Sequence, residues 1–233
     1  KNSIMCKIEV KLLDSMGSDL SVVNAARVSF GKKREALGFY AYGTTDANIP
    51  IIHDTDKKLI KYLAKHNHTS PFGHCFTSFH VKCPIFVSRQ LVKHKYLRIN
   101  EISRRYVKTE PDIFYPDWWR EQAADKKQGS GDRLGDDEAN VVLSNIMAHS
   151  AKSVMLYNKF LSRGLCEEQA RMVLPLNMMT EFWWSGSLDA FANMCVLRCA
   201  EDSQQETRTV ANSISHEMGK LYPESWAALV KTE

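Results

Sequence analysis

The chain reads as one mixed α/β domain, because segments with helical spacing of apolar residues alternate with short segments of period two. Two further observations bound that reading. The 233 residues suit one large domain or two small ones, and no internal repeat or linker divides positions 1–233. The 44% apolar and 25% charged content is ordinary for a globule with a full core.

In chain order, residues 6–13 alternate as a strand does. Gly17-Ser18-Asp19 supplies a turn and an N-cap for a helix through Leu20, Val23 and Ala26. Residues 31–52 contain Gly31, Gly38, Gly43, Asn48 and Pro50 and predict a long flexible connection. Asp54 or Thr55 caps a helix whose Leu59, Ile60 and Leu63 share a face. Residues 75–83 alternate as a strand, and Pro84 suits a first helical position, where its missing N–H costs nothing. Residues 125–132 predict a mobile loop. A long helix follows over 137–163, with Val141, Val142, Ile146, Val154, Leu156 and Phe160 in phase and Gly164 closing it. A short helix at 167–173, a strand at 174–186, a helix from Leu188 and a last helix over 203–221 complete the chain.

The chemistry concentrates in residues 84–106. Arg89, Lys93, His94, Lys95, Arg98, Arg104 and Arg105 crowd positive charge there, with Asn100, Glu101 and Ser103 among them. One carboxylate among fixed cations suits a phosphorylated ligand whose neutral end needs a hydrogen-bond acceptor. The net charge of +4 is mild and does not by itself imply nucleic acid. No apolar run approaches the roughly 20 residues of a membrane helix, and the first residues lack a signal peptide's apolar core. Six cysteines without a Cys-x-x-Cys pair are expected as buried thiols, and the expected compartment is cytoplasmic.

The order Lys93-His94-Lys95-x-x-Arg98-x-Asn100-Glu101-x-Ser103-x-Arg105 resembles the signature of flavin-dependent thymidylate synthases. The resemblance extends to Met16–Ser21, Ala25–Ser29, Ala170–Pro175, Thr180–Trp184, Leu197-Arg198, Gln204 and Glu206, in order across most of the chain. It implies a central mixed sheet flanked by helices, a homotetramer with shared active sites, and reductive methylation of dUMP at C5. Methylenetetrahydrofolate would give the carbon, FAD would carry the hydride, and NADPH would reduce the flavin.

Carried over position by position, the resemblance puts dUMP on Gln90, Lys93, Glu101, Ser103, Arg104, Arg105, Arg171 and Arg198. Arg198 would act catalytically by stabilising negative charge as the uracil N3–H ionises. FAD would lie against His68, Ser70, Lys93, His94, Lys95, Glu101, Ser187, Asp189 and Asn193. The flavin side departs from the pattern: Lys93 and Lys95 replace arginines, and Ser187-Leu188-Asp189 stands where Asn-x-Arg is usual.

Rival readings start from the same residues. Arg171 and Arg198 could serve ordinary ion pairs to Glu167 or Asp202, and His68 and His94 could be packed neutral histidines. His66, His68, His74, Cys75, His80 and Cys83 lack the spacing of a zinc site, so no metal is expected. The rewritten flavin positions leave open transfer of a different one-carbon group, such as hydroxymethyl, to dUMP or dCMP. A nucleic-acid binder built on 89–105 is disfavoured by the mild charge, and neither nucleic acid nor membrane is an expected partner.

Overall fold

The computed structural model describes residues 6–41, 48–124 and 129–231. The strands are β1 (Glu9–Met16), β2 (Gly38–Ala41), β3 (Asn48–Ile51), β4 (Phe76–Pro84), β5 (Leu97–Glu101) and β6 (Met179–Ser187). The helices are α1 (Asp19–Arg27), α2 (Asp54–Lys65), α3 (Ile85–Leu91), α4 (Asp136–Ser162), α5 (Glu167–Ala170), α6 (Leu188–Arg198), α7 (Gln205–Leu221) and α8 (Pro223–Leu229). The main sheet has the order β1-β4-β6-β5, and β2-β3 form a separate hairpin pair.

Every pairing in the main sheet is antiparallel, so the architecture is α+β and the expected mixed sheet is corrected. Parallel neighbours need long crossovers, whereas β4 and β6 run directly into α3 and α6, and β6 returns between two strands already placed. Alternation on β4 and β6 buries Phe79, Val81, Cys83, Phe182 and Trp184 on one face. These pack against Phe191 and Met194 of α6 and Ile214 and Met218 of α7 in one core. Phe191 sits at the centre, meeting Phe79 and Trp184 edge-on at centroid distances of 5.3 and 5.5 Å, the favoured aromatic geometry. The opposite face leaves Trp183 58% exposed.

Several boundaries differ from the sequence reading. Residues 31–52 hold β2 and β3, because Gly38–Ala41 pairs with Asn48–Ile51 despite the turn-rich composition. His53, not Asp54 or Thr55, caps α2, and Ser18 caps α1. Pro84 ends β4 with extended backbone (φ −68°, ψ 153°) and caps α3 without entering it. The predicted strand at 174–186 starts only at Met179, since Arg171–Val173 forms a 3-10 turn and Pro175 follows it. Helix α8 was not expected after Pro223, which takes the first helical position. The long helix at Asp136–Ser162 agrees with its periodicity, and Gly164 follows it in the left-handed region at φ 84°. Of the predicted loop over 125–132, residues 125–128 lie outside the described residues.

The terminal helices are tied to α1 by a buried carboxylate. Asp19, 2% exposed, accepts hydrogen bonds from the Glu224 and Ser225 backbone N–H groups at 2.9 Å each. It thus performs from the far end of the chain the task of a local cap, satisfying donors that a helix start leaves open. Asp19→Ala strands both donors, and a loss of about 2 kcal/mol is expected, the upper end for a cap. Thermal unfolding should show it as a Tm lowered by about 4–8 °C; an unchanged Tm would refute the capping role.

Candidate active site

Strand β5 ends as the Ile102 N–H reaches the Glu181 carbonyl at 2.9 Å, and a turn from Ser103 to Tyr106 follows. That turn presents Ser103, Arg104 and Arg105 toward a cavity of about 750 Å³, whose other walls include Arg89, Glu101 and Arg171. The Ser103 hydroxyl accepts from the Arg105 backbone N–H and Nε at 3.3 and 3.4 Å. Arg104 is held by the Thr109 carbonyl. Arg171 sits on the 3-10 turn after α5 and is exposed, its Nε donating to the Glu168 carbonyl at 3.3 Å. The expected rival partner, Glu167, is instead paired with Lys108 at 2.6 Å.

Glu101 is oriented by the sheet beneath it. Thr180, buried on β6, donates its Oγ1–H to Glu101 Oε1 at 2.6 Å. Cys83 lies opposite Thr180 on β4. Burial first, then the nearby Glu101 charge, push the Cys83 thiol up to about 12, so it stays protonated and unreactive.

A second cluster sits at the C-terminus of α6. Arg198 donates from Nε to His94 Nε2 at 2.9 Å and from Nη2 to the Gln90 carbonyl at 3.4 Å. Asp202, the rival ion-pair partner, is not among these contacts. Burial, and then the guanidinium of Arg198, hold the His94 imidazole below its ordinary value. The Gln90 side chain donates to Gln204 at 2.5 Å, Gln204 donates to Glu206 at 3.0 Å, and Arg120 grips Glu206 with contacts of 2.8 and 2.9 Å.

His68, Asp189 and Asn193 come together in a second cavity of about 500 Å³, which Lys61 and Lys65 of α2 also line. The Ser187 hydroxyl donates to Asp189 Oδ1 at 2.6 Å. Ser70, Lys93 and Lys95 are exposed and outside that lining. The structure therefore gathers the candidates into three groups on one chain. Glu101, Ser103, Arg104, Arg105 and Arg171 form the first, Gln90, His94 and Arg198 the second, and His68, Asp189 and Asn193 the third.

Four participants were missed by the sequence reading. Arg89 reaches the first cavity from α3, and its place among the cations of 89–105 was a usable signal. Lys61 and Lys65 share a face of α2 at i, i+4, a spacing that could have found them. Thr180 has no sequence signal of its own, because its role depends on the register of β5 against β6. The histidines and cysteines of 66–83 disperse: His80 meets Glu181 at 3.0 Å, and Cys75 donates to the Ser18 carbonyl. Among the described residues, no three His, Cys, Asp or Glu side chains gather as metal ligands, and no helix is long and apolar enough to cross a membrane.

The chain thus carries an arginine-lined cavity, a separately anchored guanidinium and a lysine-flanked cavity, groups whose chemistry suits anionic ligands. Comparison with known proteins sharpens that reading. A family profile described as "Thymidylate synthase complementing protein" matches residues 11–224. A flavin-dependent thymidylate synthase from Thermus thermophilus is 38% identical over 219 residues, covering 94% of this chain and 74% of its own. One from Ehrlichia ruminantium is 35% identical over 233 residues, covering 99% and 73%. The crystal structure of a UMP/dUMP methylase, PolB from Streptomyces cacaoi bound with 5-Br dUMP, superposes with a TM-score of 0.79 at 28% identity, covering 96% of this chain and 95% of that one. The chain belongs to the flavin-dependent thymidylate synthase family and is an enzyme of the methyltransferase class.

Proposed function

We propose that this protein converts dUMP to dTMP by reductive methylation at C5, with methylenetetrahydrofolate as carbon donor and NADPH as reductant. The observation that carries the reading is the first cavity, where Arg105, Arg171 and the Ser103 turn face open space beside Glu101. Guanidiniums grip a phosphate bidentately, and the turn adds backbone donors. Glu101, held by Thr180, accepts from the ligand's neutral end.

Arg198 completes the chemistry. Its fixed charge stabilises the anion that develops on the pyrimidine as N3–H ionises, which raises electron density at C5 without a protein nucleophile. Ser103 is unsuited to covalent attack: its oxygen accepts two N–H bonds from Arg105, and no base among the described residues is bonded to it.

FAD would lie in the second cavity and would supply hydride transfer. The residues there fit it: Lys61 and Lys65 offer cations for a pyrophosphate, while His68 and Asn193 offer polar edges. Lys93, Lys95 and Ser70 remain outside this lining and would contribute only from elsewhere in an assembly.

The first and third groups line separate cavities and the second lines neither, which supports a homotetramer whose complete site borrows Arg198 and Gln90 from one subunit and Arg105 and Arg171 from another. Exposed Trp183 at 58%, Leu197 at 63% and Tyr96 at 81% supply apolar surface for such contacts. A second reading, transfer of hydroxymethyl to dUMP or dCMP, is favoured by the carboxylate of Asp189 in the flavin cavity.

Tritium release from 5-tritiated dUMP, with folate and NADPH supplied, tests the reaction, and product mass separates methyl from hydroxymethyl. No release from folded, flavin-loaded protein would overturn it. Arg171→Ala should weaken dUMP binding about tenfold to a hundredfold by calorimetry, from the 1.5–3 kcal/mol of a charged hydrogen bond. Thr180→Val should weaken it about fivefold, near 1 kcal/mol for the lost hydrogen bond. If sites are shared, mixing inactive Arg171→Ala and Arg198→Ala subunits after dissociation restores turnover; a mixture as inactive as its parents contradicts shared sites.

A further inference from the structure

We propose that His94 is the positioning residue for Arg198: its Nε2 accepts the Arg198 Nε–H, sets the plane of the guanidinium, and makes the arginine's action depend on a neutral imidazole. The proposal rests on the reading of Arg198 given above, and it gives His94 a role in the pyrimidine half of the site.

The geometry leaves one assignment of protons. A guanidinium carries five N–H donors and no acceptor, so the 2.9 Å contact from Arg198 Nε requires a lone pair on His94 Nε2. The imidazole is therefore the Nδ1–H tautomer. With a second donor on the Gln90 carbonyl at 3.4 Å, three N–H groups of Arg198 remain for a ligand. Both anchors lie on the segment that follows β4, whereas Arg198 ends α6, so the bond ties two elements far apart in sequence. Without an acceptor at Nε the guanidinium could turn about its stem, and misplacement of a catalytic group by about 1 Å costs around a hundredfold in rate.

Burial and the facing charge of Arg198 oppose protonation of His94. Lys93 and Lys95 flank it on its own segment, and Arg198 faces it from α6. Glu206, at the start of the neighbouring α7, is bound by Arg120. Burial and Arg198 lower the proton affinity of His94 in the folded chain. The native state therefore binds fewer protons here than the unfolded chain, so this contribution to stability is held above the ordinary histidine range and is lost as pH falls through the lowered value. Protonation also deletes the acceptor and sets imidazolium against guanidinium.

The test uses flavin-loaded full-length protein, with flavin content matched by absorbance, and compares wild type with His94→Gln and His94→Leu. Glutamine keeps an acceptor near the Nε2 position and does not titrate; leucine removes it. Wild-type kcat should fall tenfold per pH unit on an acidic limb, His94→Gln should lack that limb, and His94→Leu should lose about a hundredfold in kcat at pH 7.5, more than it loses in KM. An acidic limb retained by His94→Gln, or wild-type kcat in His94→Leu, overturns the proposal. Should His94→Leu not fold, the glutamine profile decides alone. A readout without turnover is the ¹⁵N spectrum of labelled histidine. At neutral pH, His94 Nε2 should resonate as an unprotonated nitrogen, and the Arg198→Ala variant should raise the pH at which it titrates. A protonated Nε2, or titration unmoved by that variant, refutes the contact even if dUMP is not the substrate, whereas absent turnover with the expected spectrum would fault only the assigned reaction.

Discussion

The register of β5 against β6 is the constraint on which the site depends. Leu97 lies opposite Gly186, and a Cβ on Gly186 would sit 2.3 Å from Leu97 Cδ2 and 3.2 Å from the Tyr96 carbonyl. Only a residue without a side chain lets the chain, turning through Tyr96 at φ 65°, close onto β6 at that point. Once Leu97 is seated, Glu101 falls beside Phe182, and Thr180 comes within hydrogen-bond reach of the Glu101 carboxylate. A slip of one residue would turn every side chain of β5 to the other face. It would move Glu101 off Thr180 and the Ser103–Arg105 turn off its cavity.

The same strand delivers the second group. Strand β6 passes without a loop into α6, whose buried side, with Phe191 and Met194, is fixed by the aromatic core on β4 and β6. The orientation of α6 is thus set by packing, and Arg198 at its end inherits it. Interiors are close-packed and deform little, so the guanidinium arrives at Gln90 and His94 with limited freedom. Polar anchoring from the Gln90–Gln204–Glu206–Arg120 chain then completes what the core begins.

Much of this was legible in the residues. Period-two alternation located β4, and helical spacing located α4 to within a residue, because both patterns record burial on one face. Of the cation-rich segment, Arg89, Arg104 and Arg105 line one cavity with Arg171, while His94 lies with Arg198. What stayed hidden depended on distant partners. Strand β5 is five residues with Arg98 and Asn100 on its outer side and none of its five buried, and it reads as loop until β6 pairs with it. Likewise the all-antiparallel arrangement is a property of order in space, and Asp19 as a cap for α8 spans 205 positions of chain.

The cavity proposed for flavin shows how a change of charge in sequence can be smaller in space. Asp189 replaces an expected cation, yet its carboxylate is bonded by the Ser187 hydroxyl at 2.6 Å, two residues away. Lys61 and Lys65 of α2 line the same cavity, where the pattern in the sequence gave them no role. With Lys231, three ammonium groups against one carboxylate leave the cavity positive, which suits a pyrophosphate. The lost arginine fork sacrifices planar, bidentate geometry. A cofactor held by lysines is therefore gripped by charge more than by shape, and charge between exposed groups is screened as salt rises. On the proposed function, the departures from the family pattern bear on how salt-sensitive flavin binding is, while the proposed nucleotide half rests on arginines and the β5–β6 register.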